Sequence, residues 1–527
     1  MMKVYYDYIT QTCTFTGATI ESKNQQCILC NNSAITTPQD ILSSYQQYGA
    51  DCVNHLEGAF SFCLYDTHKK QLMVVRDRIG ERQMYYAQLP TGVIFATDLK
   101  DILPHIAYPT ILPLNLARPI RYNFPIDLRQ TWIEQIQRVQ AGEYVIVDKN
   151  GLRRKTYFRR NYTSSFTGTK EDAFAESLHL LRQSVRTAIA TAPGPVAVLL
   201  SGGIDSSSLA ILAKEVQKEV HVISAGYKGN QYTVCDERHV AKRFAEEHGL
   251  VYHEVELDVN DFQRYLDELI PYLDEPCFDI NCMVQYVLYK RASELGFKTI
   301  LCGLGGDELF YSYAGHHREV EAIQLRREFN QFYPVRRHWK KYLGFMLKHA
   351  KHVLLPNHPA RIDASMLTSW TYDDYTLFAR DAQLGDIRFA DIDVHVSLPE
   401  TITIQGMYDF LGAAFAMNMC VYMANKMGAS NGVEVRFPLL DTNLIRFMDS
   451  LPMDMKYDRN MPKRFQSEMM TSLLPDYILH APKRGFEPPF EFIGQMNANY
   501  QYRHIHAKHT FFNSMVADML IDKLLEK

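Results

Sequence analysis

Apolar residues in the first 150 positions come in short runs divided by polar turns: FSFCLYD at 60–66, QLMVVRD at 71–77, EYVIVDKNG at 143–151. Runs of this kind, rich in β-branched and aromatic residues, predict strands. One stretch departs from the pattern. TTPQDILSSYQQYG, from Thr36 to Gly49, opens on a capping residue and closes on glycine, which predicts a capped helix. A polar, small-residue segment, FRRNYTSSFTGTKED at 158–172, reads as a linker. Beyond it, EDAFAESLHLLRQSVRTAIA predicts an amphipathic helix, and PVAVLLSGG a buried strand running into a glycine turn. A βα alternation follows: VHVISAGY (220–227) as strand, ERHVAKRFAEEHG (237–249) as helix, then VYHEVEL (251–257) and KTILCG (298–303) as strands. This is the grammar of a mostly parallel sheet covered by helices. After about residue 315 the pattern turns helical and irregular. The expected division is a β-rich domain over 1–157, a linker over 158–170 and a larger α/β domain over 171–527.

The chain has 527 residues, and 56 basic against 60 acidic side chains leave a formal charge of −4. That balance gives no reason to expect a nucleic-acid partner or an anionic membrane. An apolar content of 46% excludes a disordered or collagenous chain. Ten cysteines are scattered, with Cys27 and Cys30 as a lone CxxC pair, so reduced thiols and a cytoplasmic location are expected. The first twenty residues carry no signal-peptide pattern. The longest apolar stretch, Phe410 to Ala429, holds Asn418, Asn425 and Lys426 and is expected to be a buried helix, not a membrane span.

Two glycine turns carry the candidate chemistry. Leu200 closes a predicted strand, and Ser201-Gly202-Gly203-Ile204-Asp205-Ser206-Ser207 opens a helix. Backbone amides and hydroxyls there can surround a pyrophosphate at the helix N-terminus. No Gly-Lys-Ser/Thr closes the turn, so it is not a Walker A loop. The second, Cys302-Gly303-Leu304-Gly305-Gly306-Asp307, follows another strand, at the end where open α/β sheets place ligands. Asp205 and Asp307 then bring two carboxylates to one polyphosphate, suitable hard ligands for Mg²⁺. A plain helix cap is the competing role for Asp307.

SGGIDSS resembles the signature of the ATP pyrophosphatases of PP-loop type, which cleave ATP between the α and β phosphates. Together with GGDELF, EVRFPLLD (434–441) and LLPDYILHAPKRGF (473–486), it makes the chain similar to the asparagine synthetase class B superfamily, which includes β-lactam synthetases and lasso-peptide macrolactam cyclases. The resemblance runs from about residue 50 to 490. It implies a truncated and degenerate α+β N-terminal domain of Ntn-hydrolase (class II glutamine amidotransferase) type, followed by an α/β PP-loop ATP-pyrophosphatase domain. It also implies ATP and Mg²⁺ as cofactors and an acyl-adenylate intermediate.

Residue by residue, the resemblance gives Lys463 the catalytic position, in MPKRFQSEMMTSLLP, facing the α-phosphate and the tetrahedral oxyanion. A surface Lys463–Arg464 pair is the alternative. Lys483 takes the second basic position. Glu237 stands beside the activated substrate or on the surface, Ser224 to Gly226 pass along the adenine, and Asp274-Glu275-Pro276 with Asp279 line the crevice. Leu56 to Phe62, Arg76 to Tyr86 and Phe95 to Asp98 resemble the first domain's scaffold strands. Its nucleophile is missing: Met stands at position 2 where the family has Cys, so no glutaminase is expected.

Leu304 and Asn425 occupy the positions where relatives carry a general-base pair, and neither can take a proton at neutral pH. The expected function is therefore closure of a lasso-peptide macrolactam. A precursor core peptide would be substrate, with a leader peptidase and a recognition element as partners. A β-lactam-type or small-molecule amide synthetase, or an ammonia-dependent one, is the alternative. VRRHWKKYLGFMLKHAKHVLLP (335–356), with six Lys or Arg residues, reads as a solvated face or as a cover for an acidic substrate segment.

Overall fold

The short apolar runs of the N-terminal part pair into two antiparallel sheets. The computed structural model describes residues 2–312 except 18–19, 24–25, 33–35, 114, 117–126, 230–235 and 276–280; then 383–384, 387–388, 405, 408, 412–458, 460–481, 520 and 524. In chain order the strands are β1 (Met2–Asp7), β2 (Thr12–Gly17), β3 (Ile20–Lys23), β4 (Gln26–Asn32), β5 (Phe60–Asp66), β6 (Gln71–Arg76), β7 (Tyr85–Leu89), β8 (Gly92–Ala96), β9 (Gln137–Arg138), β10 (Glu143–Asp148) and β11 (Gly151–Thr156). One sheet has the order β2-β1-β8-β7-β9 and the other β11-β10-β6-β5-β4-β3.

Side-chain alternation stacks them. Val4, Tyr6, Val93 and Phe95 of the first sheet meet Cys63, Tyr65, Val74 and Val145 of the second in one buried layer. Phe60, Phe62, Leu64 and Val75 point the other way, where helix α1 (Pro38–Tyr48) covers them with Ile41, Leu42 and Tyr45. The helix begins at a capping box. The Asp40 N–H donates to Thr37 Oγ1 at 3.2 Å and the Thr37 N–H to Asp40 Oδ2 at 2.9 Å.

The turn after β6 shows why its residues take this form. The Asp77 carboxylate accepts N–H groups from Ile79, Gly80, Glu81 and Arg82 at 2.7–3.2 Å. The buried Arg76 guanidinium donates to the carbonyls of Gly80, Arg82 and Val139. Both charges are consumed in holding the chain's path.

The second part is built on β12 (Val196–Leu199), β13 (His221–Tyr227), β14 (Val251–Leu257), β15 (Thr299–Leu301) and β18 (Glu434–Arg436), with a small separate pair β16 (Gln383–Leu384) and β17 (Ile387–Arg388). The five are all parallel, in the order β14-β13-β12-β15-β18. Strand order reverses between β12 and β15, which puts a crevice at their carboxyl ends. Helices α2 (Lys170–Ala190), α3 (Ile204–Lys214), α4 (Arg238–Glu247), α5 (Val259–Leu269), α6 (Asn281–Glu294), α7 (Gly306–Leu309), α8 (Tyr422–Ser430), α9 (Thr442–Ser450) and α10 (Arg464–Met469) surround the sheet. The predicted βα alternation is present.

Two features of the packing matter for the site. The outer face of the first N-terminal sheet, with Tyr85, Ala87, Ile94 and Ala96, shares one core with Ile223, Ile300, Tyr422 and Met423 of the second part. The apolar stretch before α8 is buried as expected, but it is π-helical from Gly412 to Val421. Asn418 Nδ2 donates to the Ala413 carbonyl at 2.6 Å, a side-chain bond that competes with the regular ladder. Among the described residues no helix is long and apolar enough to cross a membrane.

Candidate active site

The two glycine turns lie side by side because β12 and β15 are neighbours. After β12 the chain turns at Ser201-Gly202-Gly203 and enters α3. Ser206 knits this turn: its hydroxyl donates to the Gly203 carbonyl at 3.1 Å, accepts from the Ser201 N–H at 3.2 Å and lies 3.0 Å from Ser201 Oγ. The Gly203 N–H meets Ser201 Oγ at 3.3 Å. Leu200 and Ser207 are buried; the Ser207 hydroxyl makes no hydrogen bond and lies inside α3, away from solvent. Ser208 bonds back within the helix, donating to the Ile204 carbonyl at 2.7 Å, so of the three serines after Asp205 only Ser206 shapes the turn.

Asp205 stands in the first turn of α3 and Asp307 in the first turn of α7. Lys463 joins them. Its ammonium lies 2.7 Å from Asp307 Oδ1 and is ion-paired with Asp205 Oδ2 as well. The lysine is only 7% exposed. Burial alone would push its ammonium down, but Asp205 and Asp307 outweigh that and hold it above the ordinary lysine value. The surface-pair alternative fails for Lys463, because Arg464 points elsewhere, to Asp458 at 2.6 Å.

The backbone places this lysine at some cost. Lys463 has φ 58° and ψ 23°, left-handed for a residue with a side chain. Phe465, two residues on and fully buried, fixes it. Its ring meets Phe174 of α2 at 4.9 Å and Phe310, next to α7, at 6.3 Å. Lys463 and Asp307 are thus tied through an aromatic pair behind the site.

Glycine at 306 is required by close approach. A Cβ there would fall 2.3 Å from Asp205 Oδ1. That oxygen has no hydrogen-bond partner although it is buried. Gly303 is likewise close, 3.0 Å from Asp205 Cβ by the same construction, and Gly305 has φ 92° against Leu440. Leu304 is half-buried and packs on the core that contains Tyr422 and Met423. Asp307 also accepts from the Ser312 hydroxyl at 2.8 Å, a contact no motif indicated.

On the side expected to pass along the adenine, an arginine lies close. Ser224 is buried on β13, and the strand end at Gly226 is covered: a Cβ on Gly226 would lie 1.7 Å from Arg238 Nε. Arg238 is held there by Asp236, Glu254 and Glu256 at 2.6–2.9 Å and donates to the Tyr227 carbonyl at 3.1 Å. Its only sequence signal is the adjacent acid pair Asp236-Glu237. Glu237 heads α4, whose Val240 packs near Gly202.

One expectation is overturned. Asp274 and Glu275 do not line the nucleotide crevice; they face the N-terminal domain. Asp274 accepts from the Leu99 N–H at 2.7 Å and pairs with Lys426, and Glu275 pairs with Arg138 at 2.7 Å. Asn425 also lies at the domain boundary, accepting from Arg82 at 3.2 Å and donating to the Glu81 carbonyl at 3.0 Å. The polar groups of these segments are satisfied by the neighbouring domain. Lys483, Asp279 and the basic segment 335–356 lie outside the described residues.

The donor set fits a hard divalent cation only with help from a ligand. Among the described residues no group of three or more His, Cys, Asp or Glu side chains is arranged to hold a metal ion. Asp205, with its unpartnered oxygen, and Asp307 would supply two carboxylates to Mg²⁺ carried in with ATP, the remaining ligands coming from phosphate and water.

Comparison with known proteins agrees with this architecture. Residues 31–158 match a glutamine amidotransferase domain. Amidase chry2 of Gibberella zeae is 25% identical over 86% of this chain and 72% of its own length. Amidase chyE of Penicillium rubens is 24% identical over 86% and 72%. A glutamine-hydrolysing asparagine synthetase of Bacillus subtilis is 24% identical over 84% and 69%. The two family matches support generic ATP-dependent synthetase chemistry of the amidotransferase type. Residues 176–523 match asparagine synthase over well more than half of the chain, and the protein belongs to that family.

Proposed function

We propose that the protein is an AMP-forming amide synthetase that activates a small carboxylic acid and couples it to ammonia or to an amine on the substrate, without hydrolysing glutamine. One observation carries the reading: Lys463 sits between Asp205 and Asp307 where the ends of β12 and β15 meet. A carboxylate oxygen attacks the α-phosphorus of ATP there, and the bond to pyrophosphate breaks. The amine nitrogen then attacks the acyl carbon, AMP departs with the electrons of the C–O bond, and the nitrogen releases one proton to water. Lys463 holds its proton throughout and stabilises negative charge on the α-phosphoryl group and the oxyanion. Mg²⁺ held by Asp205 and Asp307 would neutralise the departing pyrophosphate.

The relatives named above are asparagine synthetases and amidases, which favours a small acid over the macrolactam of a lasso peptide. Loss of glutaminase chemistry is supported by the N-terminal thiols. Burial pushes Cys52 up to about 12 and holds Cys13 and Cys63 well above the ordinary thiol value, so these are poor nucleophiles. Met2 lies buried in β1.

The test is product analysis by mass spectrometry of full-length protein with ATP·Mg²⁺, a panel of small carboxylic acids and an amine or ammonium. AMP, pyrophosphate and an amide are expected. AMP formed only with a peptide, with loss of water from that peptide, would overturn the small-acid reading in favour of ring closure. ADP in place of AMP would overturn the adenylation itself.

A further inference from the structure

The N-terminal domain meets the synthetase through an apolar face crossed by buried charges. Arg138 donates from Nε and Nη2 to Glu275 Oε1 at 3.1 and 2.7 Å. Asp98 pairs with Lys426, which also reaches Asp274 Oδ2 at 3.2 Å. Trp132 Nε1 donates to the Asp274 carbonyl at 3.0 Å. Arg82 and Arg76 donate to Asn425 and Asn418, at 3.2 and 3.3 Å. Every one of these contacts ends on just two pieces of the synthetase: the 274–275 turn and the helix running from Gly412 through α8.

Those two pieces are themselves joined, since Tyr422 Oη accepts from the Asp274 N–H at 3.2 Å and donates to Asp274 Oδ1 at 2.5 Å. Helix α8 lies against β18, where a Cβ on Gly428 would come within 2.6 Å of Val435 Cγ2. β18 is the neighbour of β15, whose turn bears Leu304, and Leu304 packs on the core containing Tyr422 and Met423. The helix held by the N-terminal domain thus shares its core with Leu304 of the second glycine turn. Apolar side chains would glue two domains at least as well, because desolvation cancels most of the gain from a buried ion pair. What the charges add is a single permitted alignment.

We propose that the N-terminal domain serves as a clamp that sets the acceptor side of the synthetase site, with Arg138 and Asp98 as positioning residues. The proposal rests on the AMP-forming reading for its effect on turnover. The alignment itself is independent of that reading. The nucleotide side, built on α3 and Lys463, receives none of the contacts above.

The experiment compares full-length wild type with Arg138→Met, Arg138→Lys and the near-isosteric Asp98→Asn. Amide hydrogen exchange, ATP·Mg²⁺ binding and AMP formation are measured on each. Exchange is expected to quicken over Tyr422–Ser430 and Asn281–Glu294 and to stay unchanged over Ile204–Lys214. ATP affinity should stay within about twofold while kcat falls by about a hundredfold, as misplacement of reacting groups by an ångström does. Arg138→Lys should recover part of the turnover. Unchanged exchange over Tyr422–Ser430 in Asp98→Asn would overturn the clamp. So would an equal rise over Ile204–Lys214, which marks general loosening. Should the wild type form no AMP with any acid, the functional reading fails, while exchange and nucleotide binding still decide the clamp.

Discussion

The ammonium of Lys463 lies 2.7 Å from the carboxylate of Asp307, and the two residues reach that distance from unrelated parts of the chain. Phe465 and Phe310, their near neighbours in sequence, stack at 6.3 Å behind them. The pairing is set by apolar packing, and the charges complete it.

Replacing the cation tests this directly. Lys463→Met should lower AMP formation by about a hundredfold or more, the usual effect of losing a preorganised stabilising group. It also leaves Asp205 and Asp307 facing each other uncompensated. Added Mg²⁺ should therefore raise the melting temperature of Lys463→Met more than that of wild type, and an equal rise in both would contradict the arrangement.

Gly306→Ala drives a methyl group to 2.3 Å from Asp205 Oδ1. Overpacking of this kind costs about 1–3 kcal/mol. Gly203→Ala is the control, because its nearest contact would be 3.4 Å away, at Ser201 Oγ. Urea denaturation should separate the two variants clearly, with the alanine at 306 the weaker.

Glutamine should not be a nitrogen source. With Cys13, Cys52 and Cys63 all raised by burial, incubation with glutamine is expected to release no glutamate, while ammonium supports product formation. Glutamate release that depends on ATP would refute the loss of that half-reaction.

Stability should fall on the alkaline side through Glu81. Burial pushes its carboxyl up to about 8, helped by Asp77 and Glu434 and opposed by Arg82 and Arg436. The folded protein therefore holds this proton more tightly than the unfolded chain. The resulting stabilisation is complete below the ordinary glutamate value and is lost as pH rises through about 8. Glu81→Gln should flatten the melting-temperature profile between pH 5 and 9, and a profile parallel to wild type would rule Glu81 out as its source.

Much of the nucleotide side was legible from local pattern. Strand-turn-helix units and glycine turns are short-range features, and their residues meet because β12 and β15 are neighbours in the sheet. The helix at 36–49 was legible for the same reason, through its own cap. Asp274 and Glu275 were misread because their roles depend on which domain supplies their partners, a long-range fact with no local signal. Arg238 over Gly226 escaped notice too: a lone arginine after two acids looks like any surface residue. The π-helical turn at Gly412–Val421 was invisible, since the composition suits an ordinary buried helix equally well.

The shared core that joins Ile94 and Ala96 to Tyr422 and Met423 has a consequence for how such a chain can change over time. Residues that perform a reaction can drift once the reaction is no longer needed. Residues that shelter a neighbour's apolar face cannot, because deletion would present that face to water and to other copies of itself. The N-terminal domain of this protein is therefore hard to shed, whatever becomes of its own chemistry.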